Sequence, residues 1–316
     1  MKIQSFCRLA VLVSAVSVLS APGFAQTIDP FYSGNYSYTD LGSIDGVPSN
    51  YGGLTLMYND PNTLIIGGEA NTSAGALYSV GVTRDGSGHI TGFSGSAQQF
   101  AQAPYNDGGV VYGPNNVLFA AQWPVNMLSE YKTGSTAPDK VIDTSALGIA
   151  GSLSAFNFVP GGYPGAGHMK LVSYGGGQFY DATLSDDGSG TYDLTGVTQT
   201  ATLQGGPEGF TYVPLGSPLF TNPSMILSEY DAGIVATYEL DANGDPIVGT
   251  RRVFMSDLSG AEGAFIDPLT GDFLFSTFGG GSRIIRVTGF AVPEPATFAC
   301  LGLGMLVLLR RRKASK

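Results

Sequence analysis

Three acidic residues stand immediately before a glycine at the opening of a hydrophobic run: Asn106-Asp107-Gly108, Pro207-Glu208-Gly209 and Ala261-Glu262-Gly263. Asn50 lies near the matching place before a fourth such run, Gly52-Gly53-Leu54-Thr55-Leu56. If the runs are equivalent strands of one repeat, Asp107, Glu208 and Glu262 converge. Like charges brought together repel and raise one another's pKa unless a cation joins them. Hard carboxylate oxygens suit calcium, bonded at about 2.3 to 2.6 Å, so the three residues are candidate metal ligands and calcium the candidate cofactor. The competing reading is that they only bond backbone amides at a channel rim. Separations above about 8 Å would exclude a shared ion.

Other residues with chemical potential are less organised. Asp241-Ala242-Asn243-Gly244-Asp245 alternates acidic and amide oxygens, but a calcium loop needs glycine at its sixth place and glutamate at its twelfth, where Arg252 stands; a hairpin turn fits better. His89 and His168 lack zinc-ligand spacing and read as solvated loop residues. No Gly-x-Ser-x-Gly elbow is present, and Gly175-Gly176-Gly177 and Gly279-Gly280-Gly281 lack the helix and lysine of a phosphate cradle. No catalytic residue is therefore assigned. Trp123, Tyr105, Tyr112, Tyr131, Tyr174, Tyr180 and Tyr230 could stack on sugar rings if exposed together, or pack between structural units if not. The phrases Met127-Leu128-Ser129-Glu130-Tyr131 and Ile226-Leu227-Ser228-Glu229-Tyr230 are alike but fall in different strands of their units.

The elements that must position these residues are strands. Asn62 to Gly67, Val117 to Gln122, Met169 to Tyr174, Ile234 to Leu240 and Ile284 to Val287 are short and rich in β-branched or aromatic residues. Turn clusters such as Asp85-Gly86-Ser87-Gly88 and Asp186-Asp187-Gly188-Ser189-Gly190 separate them. Repeat units open at Gly52, Gly108, Gly151, Gly209 and Gly263, a spacing that suits four-stranded propeller blades. The fifth unit has only three strands (Ala264 to Ile266, Phe273 to Thr277, Arg283 to Thr288), while Tyr36 to Ile44 is unassigned. The expectation is an all-β propeller of five blades, or six, closed by that amino-terminal strand; a β-sandwich is the alternative.

The ends are addresses. Lys2 and Arg8 precede the apolar run Leu9 to Leu19 and a small-residue site, a secretory signal peptide over 1–25 with cleavage between Ala25 and Gln26. At the other end Val292-Pro293-Glu294-Pro295 leads into an apolar helix of about residues 296–309 and then Arg310-Arg311-Arg312-Lys313. Thr297 to Leu309 would span only about 20 Å of a hydrocarbon core roughly 30 Å thick, a marginal crossing whose basic end stays cytoplasmic. The 292–316 segment resembles the PEP-CTERM sorting signal of exported bacterial proteins. That resemblance implies an exosortase-type membrane transpeptidase as partner, and delivery to the cell surface or extracellular matrix after a stay in the membrane.

Both cysteines, Cys7 and Cys300, fall outside the exported domain expected at 26–291, so that domain has no disulfide and must rely on core burial. It keeps eight basic residues against 24 acidic ones, a formal charge of about −16. Nucleic acid is a poor partner for such a field, whereas divalent cations and neutral glycans are compatible with it. The phrase from Ala261 to Phe273 resembles the blade-opening phrase of gluconolactonase-like propellers. In that family a glutamate of the Glu-Gly phrase ligates the catalytic divalent metal, which carries over to Glu208 and Glu262 only; partner Asn and Asp ligands and a general base are not located. The favoured reading is a non-enzymatic binding or structural protein with exopolysaccharide or other matrix partners. The alternative is a calcium-dependent hydrolase or lyase.

Overall fold

In a computed structural model that describes residues 26–293, the chain forms five antiparallel sheets. Two short amino-terminal strands, β1 (Thr27–Ile28) and β2 (Ser37–Gly42), precede the first complete sheet. Blade one holds β3 (Leu54–Met57), β4 (Asp60–Gly68), β5 (Ala76–Arg84) and β6 (Ile90–Gln102). Blade two holds β7 (Asn106–Tyr112), β8 (Leu118–Gln122), β9 (Met127–Tyr131) and β10 (Lys140–Asp143). Blade three holds β11 (Leu153–Phe158), β12 (Met169–Ser173), β13 (Gln178–Asp186) and β14 (Tyr192–Thr202). Blade four follows with β15 (Pro207–Tyr212), β16 (Ser224–Glu229), β17 (Ile234–Glu239) and β18 (Arg252–Ser256). Blade five has only three consecutive strands, β19 (Ala261–Ile266), β20 (Phe273–Thr277) and β21 (Ile284–Thr288).

The blade-five deficit is made good by β2, which pairs with β21 from Ser37 opposite Thr288 to Gly42 opposite Ile284. Closure therefore uses the expected segment and hides two sheet edges. A second closing strand was not foreseen: β1 adds to the outer edge of blade four, Thr27 opposite Ser256 and Ile28 opposite Met255. Two residues carry too little pattern to be read as a strand. The count is five, not six, and the sandwich alternative fails because the five sheets follow one another along the chain, with only β1 and β2 joining sheets from the far end. The expected signal peptide and the apolar segment 296–309 with its basic tail lie outside the described residues.

Each blade interface has its own core. Phe254, Val235 and Ile226 of blade four meet Phe273, Phe275 and Ile285 of blade five, with Tyr32 and Tyr36 of the amino-terminal segment packed into the same cluster. Blades two and three share Phe119, Phe156 and Leu171, and blades three and four share Phe179, Phe210 and Tyr238. The inner strands are buried on both sides, which is why they read as continuous small and apolar runs rather than alternating ones. Glycine there is a packing requirement. A Cβ on Gly209 would stand 2.5 Å from the Glu262 carbonyl, and one on Gly53 would stand 2.7 Å from that of Gly108. Neighbouring inner strands thus touch backbone to backbone, which draws the preceding side chains towards the axis.

The inner strands open at one mouth of the central channel and end at the other. That second mouth is a cavity of about 800 Å³ lined by Tyr112, Asn157, Tyr163, Tyr212, Phe265 and, at the end of the described chain, Pro293.

Candidate functional site

Backbone irregularity aims the three carboxylates. In β7 the register runs from Asn106 opposite Gln122 to Val110 opposite Ala120, in β15 from Pro207 opposite Glu229 to Phe210 opposite Leu227, and in β19 from Ala261 opposite Thr277 to Ala264 opposite Phe275. Asp107, Glu208 and Glu262 occupy these bulges, which turn a side chain away from the regular sheet alternation. Blade three also has a bulge between Leu153 and Ala155, but Leu153 and Ser154 stand there, and Ser154 donates to the Pro207 carbonyl at 2.8 Å. Blade one supplies Gly52, two residues before the first paired residue Leu54, and not Asn50. The Asn50 expectation is corrected: with φ at +64° it serves the approach turn, and its backbone amide donates to Ser282 Oγ at 2.8 Å.

One carboxylate oxygen from each of Asp107, Glu208 and Glu262 lies within 4.8 Å of the other two. The residues are 0 %, 4 % and 1 % exposed. Asp107 Oδ2, Glu208 Oε2 and Glu262 Oε1 are buried without a hydrogen-bond partner. Asn71, with its amide turned to satisfy both neighbours, donates to Asp107 Oδ1 at 2.9 Å and to the Asn106 carbonyl at 3.1 Å. Burial pushes Asp107 up to about 7 against the opposing pull of its hydrogen bonds. Glu208 and Glu262 are raised well above the usual carboxylate range, first by burial and then by the neighbouring negative charges.

No protein cation relieves this cluster among the described residues, because the basic side chains are committed elsewhere. Arg251 holds Glu229, Arg84 holds Asp267, Lys140 bridges Asp187 and Asp193, and Lys170 bridges Asp181 and Asp245. Arg283 meets Asp40, Lys132 meets Asp139, Arg286 donates to the Ile90 carbonyl, and Arg252 lies over Phe31. Three buried carboxyl groups can then be neutralised only by protons or by a cation from solution.

Above the carboxylates runs an aromatic rim. The residue directly after the second strand is Trp123 in blade two, Tyr174 in blade three, Tyr230 in blade four and Phe278 in blade five, with Glu69 in blade one. Consecutive rings meet edge to face at 6.1 Å, 6.1 Å and 6.0 Å. All four are half-buried, and Tyr174 donates to Asp231 Oδ1 at 2.7 Å. Burial, and then the charges of Glu262 and Glu208, raise the pKa of Tyr230. Sequence reasoning named three of these rings but missed Phe278, whose signal was its place between a strand and Gly279. The other candidates are dispersed. Tyr131 and Tyr180 are core residues, Tyr112 lines the opposite mouth, and the Tyr105 carbonyl accepts from the Trp123 amide.

The remaining motifs are structural. Asp241 Oδ1 accepts from the amides of Asn243 and Asp245, a hairpin turn, and Asp245 instead pairs with the fully buried Lys170 at 2.7 Å. Neither histidine is merely solvated: His89 Nδ1 lies 2.8 Å from Asp272, and His168 Nδ1 lies 3.0 Å from Asp181. Both triple-glycine runs fall in the turns after second strands. The two Ser-Glu-Tyr phrases occupy a third strand (β9) and a second strand (β16).

Comparison with known proteins adds the carboxy-terminal address. Residues 291–313 match the PEP-CTERM protein-sorting motif, a span that includes Val292, Pro293, Glu294, Pro295, Arg310, Arg311 and Arg312. A search of curated protein sequences finds no match. Among solved structures, an auxiliary nutrient binding protein from Bacteroides ovatus is 12 % identical with a TM-score of 0.47, covering 80 % of this chain and 76 % of that one. The PQQ domain of pyranose dehydrogenase from Coprinopsis cinerea is 8 % identical with a TM-score of 0.46, covering 85 % of this chain and 98 % of that one. A putative 6-phosphogluconolactonase from Bacteroides uniformis is 14 % identical with a TM-score of 0.41, covering 74 % and 66 %. Ligands and activities stay with those proteins at such identities. The chain is a five-bladed β-propeller that carries at its carboxy end a PEP-CTERM sorting motif, the signal of an exported protein processed by exosortase.

Proposed function

We propose that the exported propeller is a binding module of the cell surface or extracellular matrix, organised around a calcium-class cation held by Asp107, Glu208 and Glu262. One observation carries the reading: the three buried carboxyl groups each bring an oxygen within 4.8 Å of the other two, and each keeps an oxygen without a hydrogen-bond partner. Two oxygens opposite each other on one calcium at about 2.3 to 2.6 Å stand about 4.6 to 5.2 Å apart, so no pair in the cluster is too distant to share an ion. With one divalent ion the cluster keeps about one negative charge instead of three. Residues 26–291 form the working domain, and 292–316 deliver it through the exosortase and hold it in the membrane until processing.

Calorimetric titration with calcium tests this, run beside the Glu208→Gln, Glu262→Gln double variant. Saturable binding by the wild type that disappears in the variant is expected; equal heats in both would end the reading. The same spacing also serves a second reading, a cation-dependent hydrolase or lyase. It requires turnover of a lactone or glycoside that falls with the calcium site.

A further inference from the structure

We infer that the rim formed by Trp123, Tyr174, Tyr230 and Phe278 is the ligand platform of the channel mouth, and that its ligand is a neutral, polyhydroxylated sugar ring. The inference rests on the cation reading in one respect: sugar hydroxyls complete the shell of the ion beneath.

Four successive blades place an aromatic residue at the same structural position, directly after the second strand. None of the four belongs to the hydrophobic clusters between blades, so the blade cores do not account for them. Their edge-to-face chain, with spacings of 6.1, 6.1 and 6.0 Å, makes a continuous apolar arc over a polar floor. That contrast matches a pyranose, which offers a C–H face to an aromatic ring and hydroxyl oxygens to a hard cation. The charged groups on the rim itself are acidic, Glu69 in the blade-one place and Asp231 bonded to Tyr174. An anionic ligand would be repelled by them.

Trp123 is the only tryptophan of the chain, so intrinsic fluorescence reports the rim directly. The test titrates the full chain, in a detergent without a sugar headgroup, with cello-, malto- and galacto-oligosaccharides in calcium. A saturable change in Trp123 emission is expected with at least one series. Tyr230→Ala and Phe278→Leu should each weaken it about tenfold or more while calcium affinity, read by calorimetry, stays within about twofold. Far-ultraviolet circular dichroism should show both variants folded like the wild type. Calcium binding without any sugar response overturns this inference and leaves the cation reading standing; so does a response to choline alone, which would mark a site for organic cations. A sugar response lost in the rim variants but indifferent to calcium upholds the platform and overturns only the claim that sugar hydroxyls complete the shell of the ion.

Discussion

At the scale of single residues, the dominant fact is a buried charge cluster that its own protein leaves uncompensated. Carboxyl groups whose folded pKa values are raised hold protons more tightly folded than unfolded. Their contribution to stability is therefore fully present below the unfolded carboxylate range and is lost as pH rises through the folded values, about 7 for Asp107. In chelator, the melting temperature should fall as pH is raised from about 4.5 to 8, and calcium should restore it increasingly above pH 7, because binding displaces protons. A flat profile would mean that the carboxyls are not coupled to folding. Glu208→Gln or Glu262→Gln should raise the melting temperature in chelator at pH 8 and abolish the gain from calcium, two opposite signs from one substitution. Lys170 gives the contrasting case of a compensated buried charge. Lys170→Ala should cost about 3 to 5 kcal/mol in urea unfolding, since Asp245 would be left buried and unpaired. The acid-glycine phrases were legible because the backbone approach demands glycine and the channel demands a polar neighbour. The Lys170 pairing was not, because its partner is 75 residues away, in the next blade.

At the scale of elements, the second strand of each blade orients the site as much as the inner strand does. Its end carries the rim residue, while the bulged start of the inner strand carries the carboxylate. Strand positions were readable from β-branched runs and turn clusters, and the missing strand of blade five pointed to its replacement. Asn50 was misplaced since bulges shift the register by one residue in β15 and β19 and by two in β7, which a repeat aligned on glycines does not record. The two-residue β1 was invisible for want of pattern. Closure should be costly to disturb: Tyr36, 3 % exposed among Tyr32, Phe254 and Phe290, anchors the segment that delivers β2. Tyr36→Ala should destabilise by about 3 to 5 kcal/mol in chemical unfolding, with calcium affinity unchanged in the remaining folded protein. A loss under about 1 kcal/mol would show that the closing strand holds without its anchor.

At the scale of the whole molecule, the two ends of the channel have different assignments. Inner strands start at the carboxylates and finish at the cavity lined by Pro293, where the sorting motif begins. The acidic, aromatic mouth therefore lies on the face opposite the last described residue, Pro293. Composition anticipated an acidic domain, whose field is compatible with divalent cations and neutral glycans and unfavourable to nucleic acid. It could not anticipate the ordering of the rings, which exists only once four blades are set side by side. The most direct measurement is calcium calorimetry across pH on wild type and the Glu208→Gln, Glu262→Gln variant. The account predicts one saturable site in the wild type, tightening as pH rises through about 7 with release of protons, and none in the variant. Binding that persists in the variant, or a wild type without binding at pH 8, would contradict it.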